Sequence, residues 1–313
     1  MEVIPYILKV RFICVLKLYS LEDHSFGLPG FLASLSLTAT TGEKKKVKVV
    51  GPTGLKKMID TNLELSQTYL TYALDVVELE PERVHDLGEV EGLRLVAAPL
   101  KHKTPCFGYV LTEAERPASL NVQKAQKLAG ETKLNGKVFA SLKEGKDVTL
   151  ENGVTLHAEE VLDKKPSKKL VLLGDTCESS PIIPFATGCD LLIHEATLDS
   201  SQEGSYSFFF RDFGIIFFSP FFLVEKAIER GHSTPKMAGL FANQIGAKNL
   251  ILTHFSPRYD VQNKPEDLSI NDLQKEAEKV VGEATKVFAA RDFDTFNFVS
   301  EVLEFEKSTG AQN

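Results

Sequence analysis

Short apolar runs rich in β-branched residues recur along the chain, each bounded by polar residues or by glycine and proline. This pattern predicts buried β-strands. The predicted strands cover residues 47–50, 93–98, 107–111, 169–173, 191–194, 250–253, 287–290 and 296–299. Helical patterns lie between them, the clearest over 271–282 with Ser269 as its N-cap. Because strands occur in runs as well as alternating with helices, we expect a mixed α/β (α+β) fold, with two packed β-sheets flanked by helices.

Composition narrows the class of protein. With 313 residues, of which 43% are hydrophobic and 25% charged, the chain is too apolar to be disordered and long enough for a large core. Its net charge of -7 excludes a globally basic nucleic-acid binder but leaves room for a local basic surface. The length is compatible with one domain or two.

The cysteines and the N-terminus bear on the compartment. Four cysteines without CxxC spacing indicate reduced thiols in a core, as in a cytoplasmic or nuclear protein. The apolar N-terminus is interrupted by Lys9, Arg11 and Lys17, and no small-residue cleavage site follows it. A signal peptide or a membrane span therefore fits poorly, and we expect no membrane association.

Two segments depart from the strand and helix pattern. Residues 112–152 contain lysine, glycine and asparagine around one short helical face, which predicts an arm-like excursion from the main fold. Residues 204–224 place eight of the 21 phenylalanines within positions 208–222. Arg211, Asp212 and Pro220 break this run, so we interpret it as an atypical insertion with an exposed apolar patch rather than a membrane span.

A set of histidines and aspartates stands at the ends of predicted strands or in loops. Its members are Asp23, His24, His102, Asp175, His232 and His254. In VLLGDT and LILTH an apolar run delivers Asp175 and His254 at its end, so both are expected at one edge of a sheet. A single histidine of this kind is more often structural, as we expect for His85, His157 and His194. The coincidence of the six residues of the set nevertheless favours a shared metal site. Imidazole and carboxylate ligands suit Zn²⁺.

Several segments stand in the order found in one enzyme family: DHSFGLPGF, VVGPTGLKKMI, HKTPCFGYVL, VLLGDT, DLLIHEATL, GHSTPKMAG and LTHFSPRY. From Asp23 onward the chain resembles short-form ribonuclease Z, the tRNA 3′-processing endonuclease of the metallo-β-lactamase superfamily. The resemblance implies an αββα sandwich as a single domain over 1–313, with N-terminal strands missing. It also implies two zinc ions per subunit, precursor tRNA as the substrate, an arm over 112–152 that contacts tRNA, and a homodimer.

The resemblance also implies roles for individual residues. Zinc ligation falls to Asp23, His24, His102, Asp175 and His254. Asp175 bridges the two ions, and Asp23 also orients the attacking hydroxide. Glu195 and His232 pair to deliver a proton to the leaving 3′ oxygen, while Arg258, together with His232, engages the substrate phosphate.

The chain departs from the family in its first metal motif, H-x-H-x-D-H. Tyr19 and Leu21 stand where the family has its two leading histidines, and neither replaces an imidazole. One metal position keeps four ligands, whereas the other retains His102 and the shared Asp175. We therefore expect one near-intact site and one weakened site. The altered N-terminus and the insertion over 204–224 together suggest an aberrant transcript or gene model.

The arm also departs from the family, since it reads GETKLNGKVFASLKEGK where a Gly-Pro-containing stretch is usual. Its lysines form a cationic strip able to neutralise RNA phosphates, although a solvated loop is equally compatible with the composition. The strip consists of Lys124, Lys127, Lys133, Lys137, Lys143 and Lys146.

Three functions follow from these patterns. The leading hypothesis is a zinc-dependent tRNA 3′-processing endonuclease, impaired by the loss of two metal ligands. The second is a catalytically inactive isoform that binds tRNA or pairs with a full-length subunit. The third is a metallo-β-lactamase-fold hydrolase of another substrate, such as a lactone or thioester.

Overall fold

The computed structural model describes residues 6–9, 13–16, 25–37, 46–90, 92–114, 118–163, 167–200, 227–259, 268–292, 294–299 and 302–306. The chain forms two compact units, one made of Met1–Thr112 with Lys169–Asn313 and the other of Glu113–Lys168. The predictions for Tyr19, Leu21, Asp23, His24 and the insertion over 204–224 concern residues outside the described ranges.

A four-stranded sheet opens the first unit. Its strands, in spatial order, are β1 (Tyr6–Lys9), β2 (Ile13–Leu16), β3 (Lys46–Pro52) and β4 (Ala73–Leu79). Helices α1 (Leu28–Leu37) and α2 (Leu55–Leu65) share a core with Val47 and Val49 of β3. The next residue, Val50, belongs to the large central core instead. Successive side chains of a strand point to opposite faces, so β3 is buried from both sides.

A seven-stranded sheet forms the centre of the same unit. Its strands are β5 (His85–Val90), β6 (Leu93–Leu100), β7 (Cys106–Glu113), β12 (Lys169–Leu172), β13 (Leu191–Glu195), β14 (Asn249–Thr253) and β15 (Lys286–Ala289). Their spatial order is β15-β14-β13-β12-β7-β6-β5. Strands β12 to β15 are parallel, β12 is antiparallel to β7, and β5 is antiparallel to β6. A separate hairpin of β16 (Thr295–Val299) and β17 (Val302–Glu306) follows.

The two larger sheets share one apolar core. Val50 and Leu79 of the first sheet belong to the same buried cluster as Phe107 and Tyr109 of the second. The Tyr109 hydroxyl also donates a hydrogen bond to the Val50 carbonyl at 3.3 Å. The predicted mixed fold with two packed sheets is therefore confirmed.

Three helices of this unit accompany the second sheet: α6 (Ile183–Ala186), α7 (Pro235–Ile245) and α8 (Ile270–Glu278). Helix α7 packs on β13, β14 and α8. Helix α8 begins with the predicted cap, because the Ser269 hydroxyl accepts the Asp272 amide and the Asp272 carboxylate accepts the Ser269 amide. It ends before the predicted residue 282, since the Val280 amide bonds to the Ala277 carbonyl in a tighter turn.

The second unit has its own small core. Its elements are β8 (Ser119–Leu120), α3 (Val122–Ala129), α4 (Gly136–Lys143), β9 (Val148–Thr149), β10 (Thr155–Leu156), α5 (Ala158–Val161) and β11 (Leu162–Asp163). Ala125, Leu142 and Leu156 are completely buried within it. The predicted arm, except for its first residue, lies in this unit, and the six lysines of the proposed cationic strip are all exposed.

Two further expectations concern thiols and membranes. Cys106, Cys177 and Cys189 are free and buried, as expected for core thiols. Among the helices in the described ranges, none combines the length and apolar character needed to cross a membrane.

Candidate active site

Three parallel strands bring polar residues to one edge of the central sheet. Asp175 lies in the loop beyond β12, Glu195 is the last residue of β13, and His254 follows β14 directly. Strands β12, β13 and β14 are neighbours and parallel, so their carboxyl ends meet at the same edge. The sequence prediction that Asp175 and His254 meet there is confirmed, because the His254 Nδ1 lies 3.3 Å from the Asp175 Oδ1.

The backbone at His254 is unusual. Its φ of +57° is in the left-handed region, which a residue with a Cβ rarely adopts. Such a conformation costs on the order of 1–3 kcal/mol and is common at functional sites. The His254 side chain is 18% exposed and the Asp175 side chain only 3%, so this pair lies at the floor of the site.

Glu195 and His232 form a second pair beside the first. The His232 Nδ1 lies 3.1 Å from the Glu195 Oε1 and 3.9 Å from the Asp175 Oδ2. Burial lowers the pKa of His232, but the hydrogen bond and charge of Glu195 outweigh burial, so that pKa is raised. Burial likewise raises the pKa of Glu195, but the hydrogen bond and charge of His232 outweigh it, so that pKa is lowered. Both shifts favour a charged carboxylate–imidazolium pair.

Backbone and hydroxyl groups hold the Glu195 carboxylate in place. The Thr176 amide donates to Oε1 at 2.8 Å, and the Thr197 hydroxyl donates to Oε2 at 2.6 Å. The Thr197 hydroxyl also lies 2.7 Å from the His254 Nδ1. Sequence reasoning missed Thr197 and Thr176. The available signals were that Thr176 ends the VLLGDT segment and that Thr197 belongs to the DLLIHEATL segment.

The N-terminus of α7 positions His232. Thr234 is the N-cap, since its hydroxyl accepts the Met237 amide at 3.2 Å, and Pro235 occupies the first turn. Ser233 is buried and donates its hydroxyl to the Thr176 carbonyl. His232 therefore sits between a capped helix and the loop after β12, which fixes its approach to Glu195.

His102 reaches the site from the loop between β6 and β7. Its neighbour Lys101 pairs with Glu178 in an isolated antiparallel bridge, which joins this loop to the one that carries Asp175. The His102 Nδ1 lies 2.8 Å from the Gly231 carbonyl, and its ring centroid is 5.2 Å from that of His232. A carbonyl only accepts, so Nδ1 carries the proton and Nε2 keeps its lone pair.

The side chains of the site fit the predicted metal ion. Ligand atoms of Asp175, His232 and His254 all lie within 4.8 Å of one another. His102 bonds a backbone carbonyl through Nδ1, which is the usual arrangement of a metal-ligating histidine. Imidazole nitrogens and a buried carboxylate suit a divalent ion such as zinc, so the residues fit it. His232 was predicted to hold a proton rather than a metal, and this role stays a prediction.

Arg258 lies in a short 3₁₀ turn, Pro257–Tyr259, just after His254. Its side chain is exposed, and its Nε donates to the Ser256 hydroxyl at 3.1 Å. Tyr259 is buried and anchors the turn, because its hydroxyl donates to the Asp199 carboxylate at 2.6 Å and accepts the Asp199 amide at 2.8 Å. The contact of Arg258 with the substrate phosphate stays a prediction.

The three histidines left out of the site lie elsewhere. His194 is buried against Phe241, and its Nδ1 is 2.8 Å from the Glu195 carbonyl; burial lowers its pKa. His85 bonds the Glu80 carbonyl, and His157 pairs with Asp147 in the second unit. The metal ligands Asp23 and His24 were predicted in a part of the chain outside the described residues.

The sequence of the chain is similar to those of two ribonucleases BN. No model of a known protein family matches the chain. Ribonuclease BN of Proteus mirabilis (strain HI4320) is 37% identical over 248 residues, which cover 79% of this chain and 72% of that protein. Ribonuclease BN of Escherichia coli (strain K12) is 35% identical over 277 residues, which cover 88% of this chain and 78% of that protein.

A solved structure supports the same fold. The crystal structure of human tRNase Z, short form, matches with a TM-score of 0.53 at 24% identity, and the match covers 92% of this chain and 89% of that one. At this identity the match shows the fold alone, which is the metallo-β-lactamase fold. The fold and the identity to the two ribonucleases BN together show that the chain belongs to the ribonuclease Z family, of which ribonuclease BN is a member.

Proposed function

We propose that this chain is a zinc-dependent endonuclease that hydrolyses the phosphodiester on the 3′ side of the acceptor region in precursor tRNA. The observation that carries the proposal is the Glu195–His232 pair, 3.1 Å apart, beside the Asp175–His254 pair at the end of three parallel strands. The names of the relatives, ribonuclease BN and tRNase Z, support RNA and tRNA as the substrate class.

The metal would be held by the residues predicted from the sequence. Among the described residues these are His102, Asp175 and His254, and the prediction adds Asp23 and His24. A bound zinc ion stabilises negative charge on phosphate oxygens and lowers the pKa of a bound water to about 7.

The Glu195–His232 pair supplies the proton for the leaving group. A carboxylate only accepts hydrogen bonds, so the His232 Nδ1 donates to Glu195 and its protonated Nε2 remains for the substrate. As a water oxygen bonds to phosphorus and gives up a proton, the bond between phosphorus and the 3′ oxygen breaks. The 3′ oxygen keeps the electron pair and takes the Nε2 proton. Glu195 stabilises the imidazolium beforehand and remains ionised. General acid catalysis of this kind contributes about 10²–10⁴-fold in rate.

Substrate phosphates are proposed to contact cationic side chains. Arg258 is exposed in the turn after His254, where it can engage a phosphate near the cleaved bond. The exposed lysines of the second unit form the proposed tRNA-contacting strip, and their effect on binding will weaken with salt as counterion release requires. We further propose a homodimer that works in the cytoplasm, the nucleus or both.

A second candidate function rests on Tyr19 and Leu21. Because the family has histidines at these positions, one of the two metal positions is proposed to be weakened. A chain with that defect would bind precursor tRNA, or pair with a full-length subunit, without cleaving RNA. The insertion over 204–224 is proposed to come from an aberrant transcript or gene model, and sequencing the native messenger RNA tests this.

The deciding experiment measures metal content and cleavage on one sample of the purified chain. Zinc is counted by ICP mass spectrometry, and cleavage is followed with a 3′-extended precursor tRNA. Glu195→Gln is expected to lower the cleavage rate by about 10²–10⁴-fold without changing zinc content. The control Glu89→Gln alters an exposed carboxylate on β5 and is expected to leave both unchanged.

Each outcome separates the candidates. Cleavage that requires Glu195 supports the endonuclease. Normal tRNA binding with no cleavage at any zinc or manganese concentration supports the inactive isoform. Hydrolysis of a lactone or thioester, without action on precursor tRNA or a small phosphodiester, would overturn both in favour of another metallohydrolase.

A further inference from the structure

Thr197 occupies a position between the two pairs of the site. It lies two residues after Glu195, just beyond the end of β13. Its hydroxyl oxygen is 2.6 Å from the Glu195 Oε2 and 2.7 Å from the His254 Nδ1. One hydroxyl therefore joins the residue proposed to support the proton donor to a residue proposed to bind metal.

The Glu195 side of this contact is an acceptor only. Its carboxylate is surrounded by donors: the Thr176 amide at 2.8 Å, the Thr197 amide at 3.3 Å, the Thr197 hydroxyl and the His232 ring. A hydroxyl has one proton to give. Because the Thr197 proton points to Glu195, only the lone pairs of that oxygen are left for His254.

The His254 side must then be a donor. Its Nδ1 faces the Thr197 oxygen at 2.7 Å and the Asp175 Oδ1 at 3.3 Å, and both neighbours accept. Nδ1 therefore carries the ring proton, and Nε2 keeps the lone pair that a metal ion requires. The Thr197 contact is the shorter of the two, at 2.7 Å against 3.3 Å, so Thr197 contributes most to keeping the proton on Nδ1.

We propose that Thr197 is a positioning residue that holds His254 in the Nδ1–H tautomer and ties its ring to the Glu195 carboxylate. The two contacts of the Thr197 hydroxyl, at 2.6 Å and 2.7 Å, are the observations behind this proposal. The consequence for RNA cleavage rests on the proposed function. The consequences for tautomer and metal affinity do not.

The test uses Thr197→Val, which removes the hydroxyl at nearly constant shape, and Thr197→Ser, which keeps it. Thr187→Val is the matched control, since Thr187 is exposed and its hydroxyl bonds the Ile183 carbonyl of its own turn. Ring tautomers are read from long-range ¹H–¹⁵N spectra of the metal-free protein at a pH where imidazole is neutral. A His254→Gln variant assigns the His254 signals. Zinc affinity is measured by competition with a chromophoric chelator.

We expect the Nδ1–H tautomer in the wild type, in Thr197→Ser and in Thr187→Val. Thr197→Val should shift His254 towards the Nε2–H tautomer and weaken zinc binding by about 10–100-fold, the usual effect of losing a residue that orients a metal ligand. Thr197→Ser should restore most of that affinity, which a residue that only packs against its neighbours would not explain.

Three results would overturn the proposal. These are an Nε2–H tautomer in the wild type, an unchanged tautomer and zinc affinity in Thr197→Val, and a Thr197→Ser variant as impaired as Thr197→Val. The tautomer of the wild type is measured without any Thr197 variant, so an Nε2–H tautomer there overturns the proposal even if Thr197→Val fails to fold. If the wild type does not cleave precursor tRNA while Thr197→Val still changes tautomer and affinity, the proposed function fails and the role of Thr197 stands.

Discussion

Gly231 offers a sharp test of how His102 is placed. A Cβ built at Gly231 would lie 2.5 Å from the His102 Nδ1 and 3.1 Å from the Lys103 amide nitrogen. Real Cβ atoms do not approach other atoms within 3.0 Å, so alanine at this position must push the His102 ring away. The same movement breaks the 2.8 Å hydrogen bond from His102 to the Gly231 carbonyl.

Gly246 is a matched control for the substitution at Gly231. Gly231 has a φ of +79° and Gly246, at the end of α7, a φ of +64°. Alanine in this conformation costs about 1–2 kcal/mol at either site. Nothing lies within 4 Å of a Cβ at Gly246, so Gly246→Ala carries the backbone cost alone. Gly231→Ala adds the displacement of His102, which should weaken zinc binding or cleavage by about 10–100-fold.

The assay combines urea unfolding, zinc competition and precursor tRNA cleavage on both variants. Gly246→Ala should lose stability but keep its zinc affinity and cleavage rate. Gly231→Ala should lose at least as much stability and, in addition, zinc affinity. Equal zinc affinity and cleavage in the two variants would refute the argument that the Gly231 carbonyl positions His102.

Three further predictions concern stability. Ser269→Ala should lower the free energy of unfolding by about 1 kcal/mol. The Ser269 hydrogen bond is the largest cause that lowers the pKa of Asp272 from 3.8 to about 2, so the contribution of this carboxylate to stability is complete above pH 3.8 and is lost as the pH falls towards 2. Urea unfolding at neutral and acid pH measures both effects. Leu142→Ala should cost about 2–5 kcal/mol, and hydrogen exchange should place the loss in the second unit. Tyr259→Phe removes both hydrogen bonds to Asp199 and should cost about 1–3 kcal/mol by chemical denaturation.

Most of the strands that the sequence predicted are largely buried, although the edge strand β15 and the hairpin strand β16 were predicted with partly exposed residues. Strands β12, β13 and β14 give continuous apolar runs because sheet neighbours lie on each side and core covers both faces. Strands β4 and β5 escaped prediction, since most of their residues are only partly buried or exposed and both contain acidic residues. An apolar run in the sequence is therefore direct evidence of burial and only indirect evidence of a strand.

The site was predicted by residue type and missed where residue type carries no signal. His102, Asp175, His232 and His254 stood out because imidazoles and carboxylates gather at the ends of apolar runs and in loops, whereas Glu195 was singled out only by the resemblance to ribonuclease Z. Thr197 and Gly231 act through a hydroxyl and a backbone carbonyl, which nearly every loop contains. Their roles follow from distances of 2.6–2.8 Å that only the fold creates.

The groups that hold the Glu195–His232 pair lie outside the first metal motif, although Thr197 also contacts the proposed metal ligand His254. Glu195 and His232 come from the end of β13 and the start of α7, and the groups that hold them, the Thr176 amide and the Thr197 hydroxyl, belong to the same part of the fold. All of these contacts join residues between Thr176 and His232 in the described part of the chain. A defect in the first metal motif should therefore lower zinc occupancy while the Glu195–His232 pair keeps its geometry. Restoring histidine at Tyr19 and Leu21 should then raise cleavage through zinc content alone, and a rise in rate without a rise in zinc would contradict this prediction.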